Sequence, residues 1–243
     1  MDKFRITLFV FFISLFFAMA CSSDQSNNLT KGEVSMMGNP VKVTILYDNY
    51  VFNEATKADW GFSCLIEGTE KTILFDTGTR GDILMHNIRV LNVDLSAIDC
   101  IVISHDHRDH SGGLDSVLSL VGHVEVYLPN SFNTSGIPAL SNSNVQITLV
   151  KDPVEICKGV LLTGELGTSI KEQSLVINKP DGAVVITGCS HPGIVHILEI
   201  ARSITGNDIQ LAFGGFHLLR HSDQEMDNVI AELKELGVQN IGA

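Results

Sequence analysis

Hydrophobic and polar positions from residue 41 onward fall into two halves with the same pattern. Residues 41–47 alternate apolar and polar side chains, as a half-buried strand does. Residues 62–67 and 72–75 are apolar runs separated by Gly68-Thr69-Glu70-Lys71, which predicts a hairpin. Residues 95–99 lead into the buried strand Ile101-Val102-Ile103. A polar loop, Gly112-Gly113 and a helically spaced segment over 114–121 follow it. Residues 124–128 return as a strand. Residues 131–144, rich in Ser, Asn, Gly and Pro, read as a long loop of the kind that walls a substrate site.

The second half opens with short strands over 148–150, 154–156, 160–163 and 174–177. A continuous apolar strand, 183–187, then runs into Gly188-Cys189-Ser190-His191-Pro192-Gly193 and a helix over 193–204. The strand 209–213 ends in Gly214-Gly215-Phe216-His217-Leu218, where the glycines allow close backbone approach. An amphipathic helix over 223–236 and a last strand complete the pattern.

The N-terminus belongs to a different class. Lys3 and Arg5 precede an apolar run that ends in Ala18-Met19-Ala20, which describes a secretory signal over residues 1–20. Because Cys21 follows, the signal is of bacterial lipoprotein type, with Ala18 where such signals usually carry Leu. The run is short for a membrane span, so a plain transmembrane anchor is the weaker alternative. This reading places the protein at the bacterial cell envelope, on its periplasmic or outer-membrane face, held to the membrane through lipidated Cys21. Residues 21–40 are then a polar tether, and residues 41–243 one domain with one good-sized core. The formal net charge of −12, one unit more negative without the leader, argues against a nucleic-acid partner. Of the remaining cysteines, Cys64, Cys100 and Cys157 sit in or beside apolar runs and are expected as buried free thiols.

The chemistry is concentrated in Ser104-His105-Asp106-His107-Arg108-Asp109-His110-Ser111-Gly112-Gly113, which holds three of the chain's nine histidines. In extended backbone His105 and His107 share a face while Asp106 points away. Asp109 and His110 follow a turn and can approach a second ion beside the first. Imidazole nitrogens with a carboxylate suit zinc, manganese or iron better than calcium or magnesium. A solvated polar turn is the alternative, and the density of donors outweighs it.

This segment resembles the His-x-His-x-Asp-His signature of the metallo-β-lactamase superfamily. The surrounding chain is similar to one branch of it, named for 7,8-dihydropterin-6-methyl-4-(β-D-ribofuranosyl)aminobenzene 5'-phosphate synthase. Many bacterial members of that branch are called metal-dependent hydrolases. The resemblance implies an α+β fold of αββα sandwich architecture and a zinc-dependent hydrolase, with one or two ions. Its metal-activated water would attack a small-molecule ester, lactone, amide or phosphoester. It makes His105, His107 and His191 the first metal site, Asp109 and His110 part of a second, and Asp109 a catalytic group. Asp76, at a strand end where turn formation is an equal explanation, would support the histidine loop by hydrogen bonding.

His217 stands where many members carry a bridging Asp, and either binds metal or holds substrate. Arg108 occupies a place where the branch has Tyr, and either steers an anionic substrate or pairs with Asp106 or Asp109. Cys189 is a thiol beside a ligand, a nucleophile or, as the favoured reading, a residue buried against the sheet. Glu172-Gln173-Ser174-Leu175 and Trp60-Gly61-Phe62-Ser63 also match the branch, the former without an assignable role. Asp82 is expected to cap the helix that Ile83 begins, and His123, His196 and His221 to face solvent. The branch continues past Ala243 to a His-Cys-Thr-Gly segment, so the domain is expected to be incomplete at its C-terminus and the second site one ligand short. Two alternatives follow. One is the transferase of the branch name, which ranks lower because a protein outside the cytoplasm would not meet the pterin intermediates. The other is an inactive metal-binding lipoprotein.

Overall fold

The alternation in the first half folds into a six-stranded sheet. Strands β1 (Lys42–Tyr47), β2 (Ser63–Glu67) and β3 (Ile73–Phe75) pair antiparallel, and β4 (Cys100–Val102), β5 (Val124–Pro129) and β6 (Val145–Val150) continue from β3 in parallel. The helices of this half are α1 (Gly81–Val90), α2 (Arg108–Ser111) and α3 (Leu114–Leu118). The second half mirrors that plan. Strands β7 (Val154–Cys157), β8 (Val160–Leu162), β9 (Leu175–Ile177) and β10 (Ala183–Thr187) pair antiparallel, and β11 (Ile209–Gly214) and β12 (Asn240–Gly242) add in parallel, with α4 (Ile194–Thr205) and α5 (Asp223–Glu235) as the helices. This is a computed structural model that describes residues 40–243. The expected leader, Cys21 and all of the tether before Pro40 lie outside the described residues.

Strands buried on both faces explain why the central runs are continuously apolar. Side chains alternate across a strand, so in β3 Ile73 and Phe75 face one layer and Leu74 the other. Leu74, Ile101 and Ile103 meet Ile83, Leu84 and Ile88 of α1 and Leu114 of α3. Ile66, Ile73, Phe75, Cys100 and Val102 meet Val160, Leu162, Leu175, Ile177 and Ile186 between the two sheets. Val176 and Val185 pack outward on Ile197, Leu198 and Ala201 of α4. The result is the αββα sandwich, with three apolar layers between its four structural layers.

Some local expectations differ from the fold. Asp82 does not cap α1: the N-cap is Arg80, without a side-chain cap, and Asp82 sits in the first turn paired to the Arg80 guanidinium. The helical segment expected over 114–121 ends at Leu118, and the preceding turn, α2, is cut from it by Gly112-Gly113. Residues 131–144 are not simply a loop wall. Two 3-10 turns, Thr134–Gly136 and Pro138–Ser141, tuck Ala139 and Leu140 into the first apolar layer beside Phe132. By contrast α5 starts as its sequence asks, with a Ser222–Glu225 capping box. Among the described residues no helix is long and apolar enough to cross a membrane.

Candidate metal centre

Four loops meet at one end of the sandwich, each leaving the C-terminal end of a strand in a parallel pair. β3 delivers Asp76, β4 the histidine loop, β10 Cys189 and His191, and β11 His217. The ends of parallel strands are where open α/β sheets present polar groups to ligands. Backbone strain gathers here as well. Among the described residues, the non-glycine positions with positive φ are Asp76 at 54°, Ser190 at 63°, His217 at 53° and Asn92, so three of the four lie in these loops. Such conformations cost about 1–3 kcal/mol each and persist only where the surroundings over-determine them.

Three imidazole nitrogens converge. His105 Nε2 lies 3.0 Å from His107 Nδ1, and His191 Nε2 lies 3.2 Å from the same His107 atom. Tetrahedral zinc with zinc–nitrogen bonds of about 2.0–2.1 Å would set these nitrogens about 3.3 Å apart, so the donor set fits such an ion. Asp76 decides which ring nitrogen is free. Its carboxylate accepts from the Ser104 backbone N–H at 2.7 Å, the Ser104 hydroxyl at 2.8 Å and His110 Nδ1 at 2.6 Å. Ser104 Oγ, its own proton given to Asp76, must accept from His105 Nδ1 at 2.9 Å. His105 and His110 are therefore both protonated at Nδ1 and turn Nε2 inward. Ser63 Oγ donates to the Asp76 carbonyl at 2.7 Å and locks the anchor itself.

The second loop is held by Glu172. Its Oε1 accepts from the backbone N–H of Cys189 and of Ser190, both at 2.9 Å, and its Oε2 from that of His191 at 2.8 Å. The same segment laces the two sheets together: His105 bridges Glu172, and Gln173 donates its backbone N–H to the Ser104 carbonyl at 2.9 Å. Gly188 permits this approach, because a Cβ there would lie 2.2 Å from Ser104 Oγ. The matching of Glu172-Gln173-Ser174-Leu175 to the branch thus has a physical role, which residue type and spacing alone did not reveal.

Electrostatics separate the histidines. Burial, then the neighbouring rings of His110, His107 and His191, push the His105 pKa down to about 2. Burial, then His217 and His107, push that of His191 down to about 4. Both rings are neutral near pH 7, as a cation ligand must be. For His110 burial also acts downward, but the Asp76 carboxylate, with Asp109 and Cys189 in contact, overrides it and holds the ring well above the usual imidazole range. Asp109 is the converse: burial alone would raise it, and the contact with His110 holds its carboxyl well below the usual range. Asp109 Oδ2 stands 3.5 Å from His110 Nε2 and accepts from Trp60 Nε1 at 3.1 Å. The indole of Trp60 is a contact that the Trp60-Gly61-Phe62-Ser63 match left unread.

The remaining expected residues lie at the rim. Asp106 faces away from the rings and accepts from the Asn133 backbone N–H at 3.2 Å. Arg108 is exposed, and among the described residues neither Asp106 nor Asp109 forms an ion pair with it. His217 is exposed, its ring centroid 4.5 Å from that of His191. A cavity of about 560 Å³ opens beside these two histidines, lined on its apolar side by Ile194, Val195, Phe216 and Leu218. Cys189 departs from the favoured reading. Rather than burying against the sheet, its side chain is half-buried and turns into the centre, with Sγ 3.1 Å from His110 Nε2. It follows a strand end whose glycine and Glu172 contacts rotate the loop toward the histidines.

The profile of the metallo-beta-lactamase superfamily matches residues 61–233, and the chain belongs to that superfamily, whose members typically bind metal. Among its relatives is the 7,8-dihydropterin-6-methyl-4-(beta-D-ribofuranosyl)-aminobenzene-5'-phosphate synthase of Methanocaldococcus jannaschii, 28% identical over an alignment of 251 positions, which covers 83% of this chain and 85% of that protein. A crystal structure of a metal-dependent hydrolase of the beta-lactamase superfamily superposes with a TM-score of 0.67 at 29% identity, covering 83% of this chain and 86% of the other. The short form of human tRNase Z shares the fold at 15% identity, with a TM-score of 0.52 over 83% of this chain and 92% of the other.

Proposed function

We propose that this protein is a zinc-dependent hydrolase that cleaves a small ester, lactone, amide or phosphoester. The observation that carries the reading is the convergence of His105 Nε2, His107 Nδ1 and His191 Nε2 within 3.0 and 3.2 Å, with the His105 tautomer set through Ser104 and Asp76. A divalent ion held there supplies polarisation of the scissile group and activation of water near neutral pH. The residues do the rest. Asp109, ionised and steadied by Trp60, orients the attacking water and accepts its proton. The cavity beside His191 takes the apolar part of the substrate, and His217 at its edge holds the polar part. Arg108, exposed beside the loop, draws in anionic substrates.

Protein purified without chelators should carry at least one equivalent of zinc and turn over a member of a panel of esters, lactones, amides and phosphoesters, with activity lost on chelation and restored by zinc. Zinc below about half an equivalent together with no turnover would contradict the reading.

A second reading is favoured by the likeness to the Methanocaldococcus synthase: condensation of a pterin with an aminobenzene ribofuranosyl phosphate. Product formation from that pair, without hydrolysis of the panel, would replace the first reading. The leader and Cys21 support attachment to the cell envelope. Palmitate incorporation that disappears in Cys21→Ala is the expected outcome, and equal labelling of both forms would refute it.

A further inference from the structure

Among the described residues, Asp109 and His110 are the donors that the sequence assigned to the second half of the centre. Asp109 and His110 stand together, whereas His217 lies against His191, with ring centroids 4.5 Å apart. The group that faces His110 is the thiol of Cys189, 3.1 Å from Nε2. Asp76 accepts the proton on Nδ1, so Nε2 is the ring nitrogen left to face the sulfur, and the His110 side chain is only 2% exposed. A buried ring nitrogen is therefore aimed at a sulfur.

Two of the three other described cysteines show what a fully buried structural thiol looks like here, while Cys157 is half-buried at the end of β7. Cys64 and Cys100 are fully buried in the layer between the sheets. Burial pushes the Cys64 thiol up well above its ordinary value and that of Cys100 up to about 12. Cys189 lies elsewhere: it is half-buried among the histidine loops, and its backbone is fixed by the N–H donated to Glu172.

We propose that Cys189 is a metal ligand, which with His110 and Asp109 forms a second cation position beside the three-histidine one. The inference rests on the metal reading given under Proposed function. Donor atoms of His105, His110 and Cys189 lie within 4.8 Å of one another, and so do those of Cys189, His191 and His217. The sulfur is thus within 4.8 Å of donors from both loops, His105 and His110 of one and His191 of the other. Zinc bonds of about 2.3 Å to sulfur and about 2.0–2.1 Å to nitrogen at a tetrahedral angle would separate the two atoms by about 3.6 Å. The distance seen, 3.1 Å, needs a small rotation of the thiol outward. Binding would release the thiol proton and the proton on His110 Nε2 to solvent, and the freed sulfur and nitrogen lone pairs would hold the cation. A thiolate in the set selects zinc over manganese or magnesium, which prefer oxygen.

Cobalt(II) titration of the chelator-stripped wild-type protein tests the ligand directly. Two ions should bind, with near-ultraviolet thiolate-to-cobalt charge-transfer absorption that is absent in Cys189→Ser. Cys189→Asp, which restores a donor but no sulfur, should bind two ions without that absorption. Cobalt binding to the wild-type protein with no charge-transfer absorption, or with absorption that survives in Cys189→Ser, would overturn the proposal and leave the three-histidine site standing. Absence of any bound cobalt would overturn both. A measurement on the wild type alone reads the same point: zinc should slow iodoacetamide alkylation of Cys189, followed by peptide mass, by roughly tenfold or more. An unchanged rate on a zinc-loaded protein would count against the ligand role.

Discussion

Asp76 holds the histidine loop through its rings, whereas Glu172 holds the His191 loop through its backbone. Each carboxylate is buried and each accepts three hydrogen bonds, yet they control different things. Asp76 reaches His110 directly and His105 through Ser104, so it sets where the ring protons sit and which nitrogens can donate. Glu172 sets where the chain carrying Cys189 and His191 runs and leaves the ring proton of His191 to its surroundings. One anchor governs the chemistry of the donors and the other their placement. Two sheets brought face to face need both, because donors from different halves converge only if each loop is fixed against its own strand ends.

Asp76→Asn should have the largest effect of the substitutions that spare the ligands. An amide offers a donor where the carboxylate accepted, so either Ser104 loses its acceptor or His110 loses the acceptor of its Nδ1 proton. Metal affinity measured by chelator competition should fall about 10–100-fold, the range of such supporting contacts. Glu172→Gln should act differently. One of its backbone N–H groups meets an amide N–H, which costs about 2 kcal/mol of stability in urea unfolding, while metal affinity falls by less than in Asp76→Asn. Equal losses of affinity in the two variants would erase the distinction between ring-side and backbone-side anchoring.

Smaller effects sharpen the same contrast at the rim. Trp60→Phe removes the indole N–H from Asp109 without touching either anchor, so turnover should fall by roughly tenfold or less while zinc content stays that of the wild type. A loss of zinc in that variant would show that Trp60 acts on the donors. Arg108→Tyr should reduce only the preference for anionic over neutral substrates, by about a few-fold and less at high salt. A preference unaffected by the substitution would remove Arg108 from substrate capture.

What could be read in the sequence follows the same division. The histidine loop was legible because its donors are local: His105 and His107 share a face by backbone periodicity, and a buried strand announces where they emerge. The repeat of that pattern at β10 showed where the second loop emerges, and the resemblance to the family singled out His191 in it. Glu172 was not, since its partners are backbone amides 17 to 19 residues away and such contacts leave no periodicity. The direction of Cys189 was equally hidden, because a cysteine after an apolar strand points inward or outward according to how Gly188 lets the loop lie on Ser104. The segment over 131–144 misled through its polar composition, although Ala139 and Leu140 are spaced to fill the layer over α3. The sandwich itself was anticipated through resemblance to the family, and the doubly apolar strands give its physical reason.

The central claim is the three-histidine position, and an anomalous difference map from zinc-loaded crystals tests it most directly. The account predicts a zinc peak about 2.0–2.1 Å from His105 Nε2, His107 Nδ1 and His191 Nε2. Zinc bound elsewhere, with no peak among those three nitrogens, would contradict it.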